Sequence, residues 1–120
     1  MSVLLLDDEI EMHDVMSQLY KDISFIHASC VKGGVRALEE ETIELVIADV
    51  ILRNRGNGYL VCDYAKALSI PSIIFSGVLN PNLYELDNAF PVVHKPDLQG
   101  IKLVLEGFKR KPVLQRELAY

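Results

Sequence analysis

The sequence predicts an α/β fold in which five βα repeats build three layers, with a parallel sheet between two layers of helices. The chain has 120 residues, of which 50% are hydrophobic and 24% are charged, as expected for one globular domain. Short apolar runs alternate with stretches at helical spacing, which is typical of βα repeats. Several of these runs are continuously apolar, as parallel strands covered on both faces are.

The predicted strands are short β-rich runs, each followed by a polar residue or by Gly or Pro. They cover residues 3–6, 24–28, 45–48, 72–75 and 92–94. Because a parallel connection needs a crossover, helices are expected between these strands and after the last one.

The first and last predicted helices each turn an apolar stripe toward the sheet. The first stripe consists of Met12, Val15, Met16 and Leu19, and the last of Leu98, Ile101, Leu105 and Phe108. The second helix is predicted to begin after Gly33 and Gly34, and the third to follow the glycine-rich turn at 56–58. Residues 81–88 allow a short helix.

Charge and hydropathy exclude several classes of function. The chain carries 12 basic and 17 acidic residues, a net charge of −5, so it lacks the basic surface that nucleic acids require. Its apolar runs are too short to cross a bilayer, so we expect a cytoplasmic protein without membrane contact.

Cys30 and Cys62 lack metal-ligand spacing and are expected to be small buried residues rather than a disulfide. His13, His27 and His94 show no shared face and are expected to be ordinary helix and strand residues.

The residues that follow the predicted strands carry the chemistry, because ligands of an open parallel sheet bind outside the carboxyl ends of its strands. These residues are Asp7 and Asp8 after the first strand, Asp49 after the third, Ser76 after the fourth and Lys95 after the fifth. Taken singly, each has an ordinary structural explanation, such as a helix cap, a turn or a solvated charge. Their joint placement at one edge favours a functional site.

Three carboxylates at one place repel one another unless a cation neutralises them. Hard oxygen ligands with room for water suit Mg²⁺. A carboxylate beside Mg²⁺ can attack phosphorus, and Ser76 and Lys95 could hold the transferred oxygens by hydrogen bond and charge. The residues therefore predict phosphoryl transfer to an aspartate.

Several motifs follow one another in a familiar order. They are LLLDDE at 4–9, RAL at 36–38, VIAD at 46–49, IIFSG at 73–77 and HKP at 94–96. With these motifs the chain resembles the CheY-like receiver domain of two-component response regulators, from Val3 to about Phe108. The resemblance implies a flavodoxin-like fold with the strand order 2-1-3-4-5. It also implies a receiver domain over 1–110, with 111–120 as a short tail or helix extension.

The resemblance assigns a role to each site residue. Asp49 would accept a phosphoryl group from a phosphohistidine on a sensor histidine kinase or a histidine phosphotransfer protein. Mg²⁺ would be held by Asp8, Asp49 and the main-chain carbonyl of Ile51, with Asp7 acting through water. The last two site residues, Ser76 and Lys95, would bind the phosphoryl oxygens, and the Lys95-Pro96 peptide is typically cis in such domains. Output would pass through contact with a downstream effector protein, and the chain could also form a homodimer.

Two features depart from the receiver pattern. The loop after Asp49 has no proline, and its closing glycine, Gly58, arrives nine residues later, slightly late for the family. Val92 stands three positions before Lys95, where receivers usually have an aromatic switch residue. We therefore expect an altered loop beside the metal site and an altered output surface.

The side chains beside the site predict slow hydrolysis of an aspartyl phosphate. Ile51 and Val78 are apolar and cannot hold a water molecule for in-line attack. We therefore expect a signalling protein that accepts a phosphoryl group rather than an enzyme that turns over a substrate.

Two other functions compete with this interpretation. A non-phosphorylated pseudo-receiver that serves only as a docking module is favoured by the altered loop and by Val92. It is disfavoured by the retained carboxylate cluster, which a docking surface does not need. A small haloacid-dehalogenase-like phosphohydrolase would also use an aspartate, Mg²⁺, a hydroxyl and a lysine. Its first motif would be Asp-x-Asp, which differs from Asp7-Asp8-Glu9.

Overall fold

The computed structural model describes residues 1–52, 56–77, 90–95 and 97–110, apart from the side chains of 108–110. In chain order its elements are β1 (Ser2–Leu6), α1 (Ile10–Leu19), β2 (Ser24–Ala28), α2 (Val31–Glu40), β3 (Leu45–Ala48), β4 (Ile51–Leu52), β5 (Gly56–Asn57), α3 (Tyr59–Ala67), β6 (Ser72–Ser76), β7 (Val92–His94) and α4 (Leu98–Arg110). The possible helix at 81–88, Val78, the Lys95-Pro96 peptide and the tail at 111–120 lie outside the described residues, and the domain limits stay a prediction. Among the described helices, none has the length and apolar character that a membrane crossing requires.

Five strands form one parallel sheet in the order β2-β1-β3-β6-β7, which confirms the predicted fold and the predicted order 2-1-3-4-5. The central strands align at their carboxyl ends, because Leu6 of β1 lies opposite both Ala28 of β2 and Ala48 of β3. The strands β4 and β5 form a separate antiparallel hairpin that the sequence did not predict. The carboxyl ends of the neighbouring strands β1 and β3 therefore lie side by side.

The core consists of two apolar clusters, one on each face of the sheet. Along β1, Leu4 and Leu6 pack with buried residues of α2 and α3, whereas Val3 and Leu5 pack with buried residues of α1 and α4. This alternation follows from the period-two geometry of a strand. Both faces of the sheet are therefore covered, which gives the predicted three layers.

The core-facing stripe of α1 is narrower than predicted. Met16 is fully buried and Met12 packs against the same cluster, but Val15 is 36% exposed and Leu19 is 54% exposed. The prediction that all four residues face the core is therefore wrong. Met12 and Met16 are four residues apart, so they lie on the same side of the helix and together make its contact with the sheet. Val15 and Leu19 lie to the side of this contact and face the solvent.

The second helix begins at Val31, so Gly33 and Gly34 lie in its first turn and not before it. Cys30 caps this helix, since its Sγ atom accepts a hydrogen bond of 3.4 Å from the main-chain N–H of Gly33. It is half-buried, which corrects the prediction of a buried hydrophobic residue, whereas Cys62 is fully buried and burial raises its pKa to about 12. Both cysteines are free thiols.

Candidate functional site

A lysine bridges two buried carboxylates at the carboxyl edge of the sheet. The Lys95 Nζ atom, which follows β7, lies 2.6 Å from Asp7 Oδ2 and 3.0 Å from Asp49 Oδ2. Glu9 Oε1 lies 3.7 Å from the same nitrogen. The parallel register places these groups together, because β1, β3 and β7 all end at this edge. The three carboxylates therefore share one ammonium group.

The Asp49 carboxylate is held in a fixed orientation by donors on both of its oxygens. Its Oδ1 atom accepts a hydrogen bond of 2.9 Å from Ser76 Oγ and one of 3.2 Å from the main-chain N–H of Ile51. Its Oδ2 atom accepts from Lys95. Asp7 is held in a similar way, since its Oδ1 accepts from the N–H of Glu9 at 2.9 Å.

Burial and charge shift the pKa values of two of these groups. Burial raises the pKa of Asp7 above its ordinary value, because only part of that effect is offset by the hydrogen bond to Lys95. Burial alone would lower the pKa of Lys95, but its bonds to Asp7 and Asp49 outweigh this effect and raise the pKa above its ordinary value. Lys95 is therefore held in the charged form by its two partners.

Three of the carboxylates at this end of the sheet form a set of oxygen ligands. Oxygen atoms of Asp7, Asp8 and Asp49 all lie within 4.8 Å of one another. Carboxylates this close repel one another, and a divalent cation would reduce the repulsion. Asp8 and Asp49 border a cleft of about 230 Å³, which is also lined by Glu9, Ile51, Ser76, Gly77 and Lys95. This donor set fits Mg²⁺, which prefers carboxylate and water oxygens.

The structure thus brings together the candidate residues at the carboxyl ends of four different strands, with Ser76 as the last residue of β6 and not after it. Asp7, Asp8, Asp49, Ser76 and Lys95 meet at the predicted edge. The sixth candidate, Ile51, also borders the cleft. The ligand and phosphoacceptor roles of these residues stay predictions.

No protein-family model and no curated protein matches this sequence. The fold is similar to that of solved structures with low sequence identity. A two-component response regulator from Clostridium difficile superposes with a TM-score of 0.79 at 14% identity, over 93% of this chain and 98% of that one. A CheY-like response regulator receiver domain protein from Methanospirillum hungatei superposes with a TM-score of 0.78 at 21% identity, over 99% of this chain and 98% of that one. The N-terminal domain of a response regulator/sensory box/GGDEF protein from Carboxydothermus hydrogenoformans has a TM-score of 0.75 at 12% identity, over 90% of this chain and 92% of that one.

This chain has the receiver fold. Within that fold, the late glycine of the loop after Asp49 has a structural explanation. Gly58 lies so close to this loop that an added Cβ atom would stand 2.0 Å from the main-chain oxygen of Asp49, and its own N–H donates to Val50 at 2.9 Å. The β4–β5 hairpin, which pairs Ile51 with Asn57, brings the glycine to this place. Gly58 was identified from the sequence as the glycine that closes the loop, but the close approach to Asp49 that requires a glycine there was missed.

The histidines correct a second expectation about this receiver fold. His13 Nδ1 of α1 lies 2.6 Å from His27 Nδ1 of β2, so the prediction that they share no face is wrong. His27 lies opposite Leu5 in the parallel register, on the face that α1 covers. Strand alternation could have indicated this face, because Phe25 packs there as well. Which residue of α1 meets His27 depends on how the helix packs.

Position 92 in this receiver fold holds a small aliphatic side chain. Val92 lies in β7 opposite Ile74 and packs, partly buried, against the α2–α3 cluster. Phe90, two residues earlier, is buried in the same cluster. The nearest aromatic side chain before Val92 is therefore part of the core.

Proposed function

We propose that this chain is the phosphoacceptor receiver of a two-component or phosphorelay system, with Asp49 as the residue that is phosphorylated. The observation that carries the proposal is the arrangement around Asp49 in a receiver fold. Ser76 Oγ and Lys95 Nζ each bind one of its carboxylate oxygens, and two further carboxylates lie beside it. A buried aspartate at a strand end has no structural need of this combination.

The reaction is a transfer of one phosphoryl group to a carboxylate oxygen. An Asp49 oxygen attacks phosphorus, a new P–O bond forms, and the bond to the donor breaks with its electron pair leaving on the donor. Ser76 and Lys95 already lie 2.9 Å and 3.0 Å from the Asp49 oxygens, so small movements would let them bond the incoming phosphoryl oxygens. The hydroxyl supplies a hydrogen bond, and the ammonium group stabilises the added negative charge.

Mg²⁺ is the cofactor that the oxygen donors support. Asp8, Asp49 and the main-chain carbonyl of Ile51 would hold it, with Asp7 acting through water. Bound there, the ion would neutralise charge on the phosphoryl oxygens during the transfer. Lys95 balances part of the carboxylate charge through its contacts with Asp7 and Asp49.

The proposed signalling partners are a sensor histidine kinase or a histidine phosphotransfer protein as the donor, and a downstream effector protein as the receiver of the signal. Support for this assignment comes from solved structures with the same fold, which include response regulators and the first domain of a three-domain GGDEF protein. Because Val92 replaces the usual aromatic residue, we propose that the output surface changes without an aromatic rotamer switch.

The proposed phosphoprotein is not a turnover enzyme, and it loses its phosphoryl group slowly. Ile51 borders the cleft with 43% of its surface exposed, so an apolar side chain stands where a polar one would hold the attacking water. The substitution Ile51→Asn should therefore speed the loss of phosphate, as followed by mass spectrometry after the donor is removed. Faster decay in the wild type than in the variant would contradict this part of the proposal.

The decisive test is the intact mass of the protein after incubation with acetyl phosphate and Mg²⁺. We expect the wild type to gain the mass of one phosphoryl group, and Asp49→Asn or a sample without metal to gain none. Asp63→Asn is the matched control, because Asp63 is an exposed aspartate of α3. An adduct on Asp49→Asn equal to that on the wild type would refute Asp49 as the acceptor.

A second candidate function is a docking module that is never phosphorylated. Val92 favours it, since the aromatic residue of the usual conformational switch is missing. Mg²⁺ titration distinguishes the two functions. A receiver should respond to Mg²⁺ in the millimolar range, as monitored by NMR shifts of the amides next to Asp8 and Asp49, whereas a docking module should not respond.

A further inference from the structure

We propose that His13 and His27 form a second cation site, separate in chemistry from the acidic cleft, that binds a borderline divalent metal such as Zn²⁺. The two rings belong to different elements, yet their Nδ1 atoms face each other at 2.6 Å with the rings nearly perpendicular, at 76°. Imidazole nitrogen is a preferred ligand of Zn²⁺, Ni²⁺ and Cu²⁺ and a poor ligand of Mg²⁺. The proposal does not depend on phosphorylation of Asp49.

The hydrogen bond on the far side of His13 determines which of its nitrogens is free. Its Nε2 atom lies 2.7 Å from the main-chain oxygen of Asp7. A carbonyl oxygen only accepts, so Nε2 carries the proton, and in the neutral ring Nδ1 has a lone pair directed at His27. Metal-binding histidines are commonly oriented in this way, with the second ring nitrogen donating to a carbonyl or a carboxylate.

The facing nitrogens are better satisfied by a metal ion than by each other. Between two Nδ1 atoms only one proton fits, so a second ring proton would break the contact. Although His27 is exposed, the partial burial of its ring and the neighbouring His13 both lower its pKa, which favours the neutral ring that binds metals. Two neutral rings can each supply one lone pair to an ion placed between them.

Only a small movement opens the pair for an ion. Zn–N bonds of about 2.0 to 2.1 Å at a tetrahedral angle separate two ligating nitrogens by about 3.3 Å. The pair stands at 2.6 Å, and His27 is exposed on the edge strand β2, so its ring can turn outward. A cavity of about 360 Å³ adjoins both rings and is also lined by Asp14, Ser17 and Ser29. It leaves room for water to complete the coordination, and the charge of Asp14 acts on His27.

Zn²⁺ titration by isothermal calorimetry, in the presence of excess Mg²⁺ to occupy the acidic cleft, tests the site. We expect one equivalent of Zn²⁺ to bind, and His13→Gln and His27→Gln each to weaken it by about tenfold or more. His94→Gln is the matched control, because it removes the third histidine of the chain and leaves the pair intact. Unchanged binding in both pair variants would overturn the proposal and place the ion on carboxylates or thiols.

A measurement on the wild type avoids any folding defect of the variants. Two-bond ¹H–¹⁵N NMR spectra resolve the ring nitrogens of each histidine. Addition of Zn²⁺ should shift the Nδ1 signals of His13 and His27 and leave those of His94 in place. Ring signals of the pair that stay unmoved while Zn²⁺ binds would also overturn the proposal.

Discussion

The acidic cleft and the histidine pair lie at the same edge of the sheet but provide opposite environments. Beside the cleft, Lys95 bridges the buried side chains of Asp7 and Asp49. In the pair, His27 is exposed, and its Nδ1 atom lies 2.6 Å from that of His13. The cleft therefore offers hard oxygen ligands, whereas the pair offers nitrogen ligands.

Asp7 joins the two regions. Its side chain bonds Lys95 in the cleft, while its main-chain oxygen lies 2.7 Å from His13 Nε2 on the other side. One residue can serve both regions because a side chain and a carbonyl leave the backbone in different directions. The difference in burial also means that charge should dominate the energetics of the cleft and contribute little to the pair.

The largest effect should come from removal of the charge that the cleft depends on. Lys95→Met leaves two buried carboxylates without their ammonium partner, so we expect a loss of about 3 to 5 kcal/mol in unfolding free energy without metal. Mg²⁺ should restore part of this loss. Urea unfolding of the variant with and without Mg²⁺ measures both values. Lys32→Met, at an exposed lysine of α2, should stay within about 0.5 kcal/mol of the wild type.

The loop that carries the cleft should be the next most sensitive. In Gly58→Ala the new methyl group would stand 2.0 Å from the Asp49 oxygen, so the loop must shift at a cost of about 1 to 3 kcal/mol. Weaker Mg²⁺ binding should accompany it. Gly33→Ala is the control, because its methyl group would meet Cys30 Sγ at an ordinary 3.5 Å and favour the helix. Equal destabilisation of the two variants would refute the close approach.

A smaller effect should appear as a fall in the free energy of unfolding at alkaline pH. The pKa of Lys95 in the folded protein lies above its ordinary value of 10.5. Its stabilising contribution is therefore complete below pH 10.5 and is lost as the pH rises through the folded-state pKa. Chemical unfolding across this range without Mg²⁺ should show a steeper fall for the wild type than for Lys95→Met. If the free energy of unfolding falls equally with pH in both proteins, Lys95 does not cause the fall.

The smallest effect on stability should come from a substitution in the histidine pair. His27→Gln removes an exposed ring, so we expect a change in unfolding free energy within about 0.5 kcal/mol. Mg²⁺ titration of the same variant should match that of the wild type, because the ligand sets are separate. A large loss of Mg²⁺ affinity would mean that the pair and the cleft are coupled, with His13 and Asp7 as the connection.

The parallel sheet and the functional residues at its carboxyl end could be predicted from the sequence. Continuous apolar runs predict parallel strands, and parallel strands end at one edge. Once Leu6 and Ala48 are the last residues of neighbouring strands, Asp7 and Asp49 must lie together. Periodicity and the topology rule place these residues at the carboxyl ends of one sheet, whereas the strand order that makes β1 and β3 neighbours came from the resemblance to receiver domains. The resemblance was visible in the motifs although no family model matches the sequence.

Contacts between a helix and a strand, or between a loop and a hairpin, could not be predicted from the periodicity of either segment. The meeting of His13 with His27, and the approach of Gly58 to Asp49, depend on how a helix crosses a strand and how a hairpin folds back. The same holds for the face of α1, where Met16 is buried and Leu19 is not. A sequence pattern records which residues share a face of one element, whereas the partner of that face depends on packing angles and distances set by the whole core.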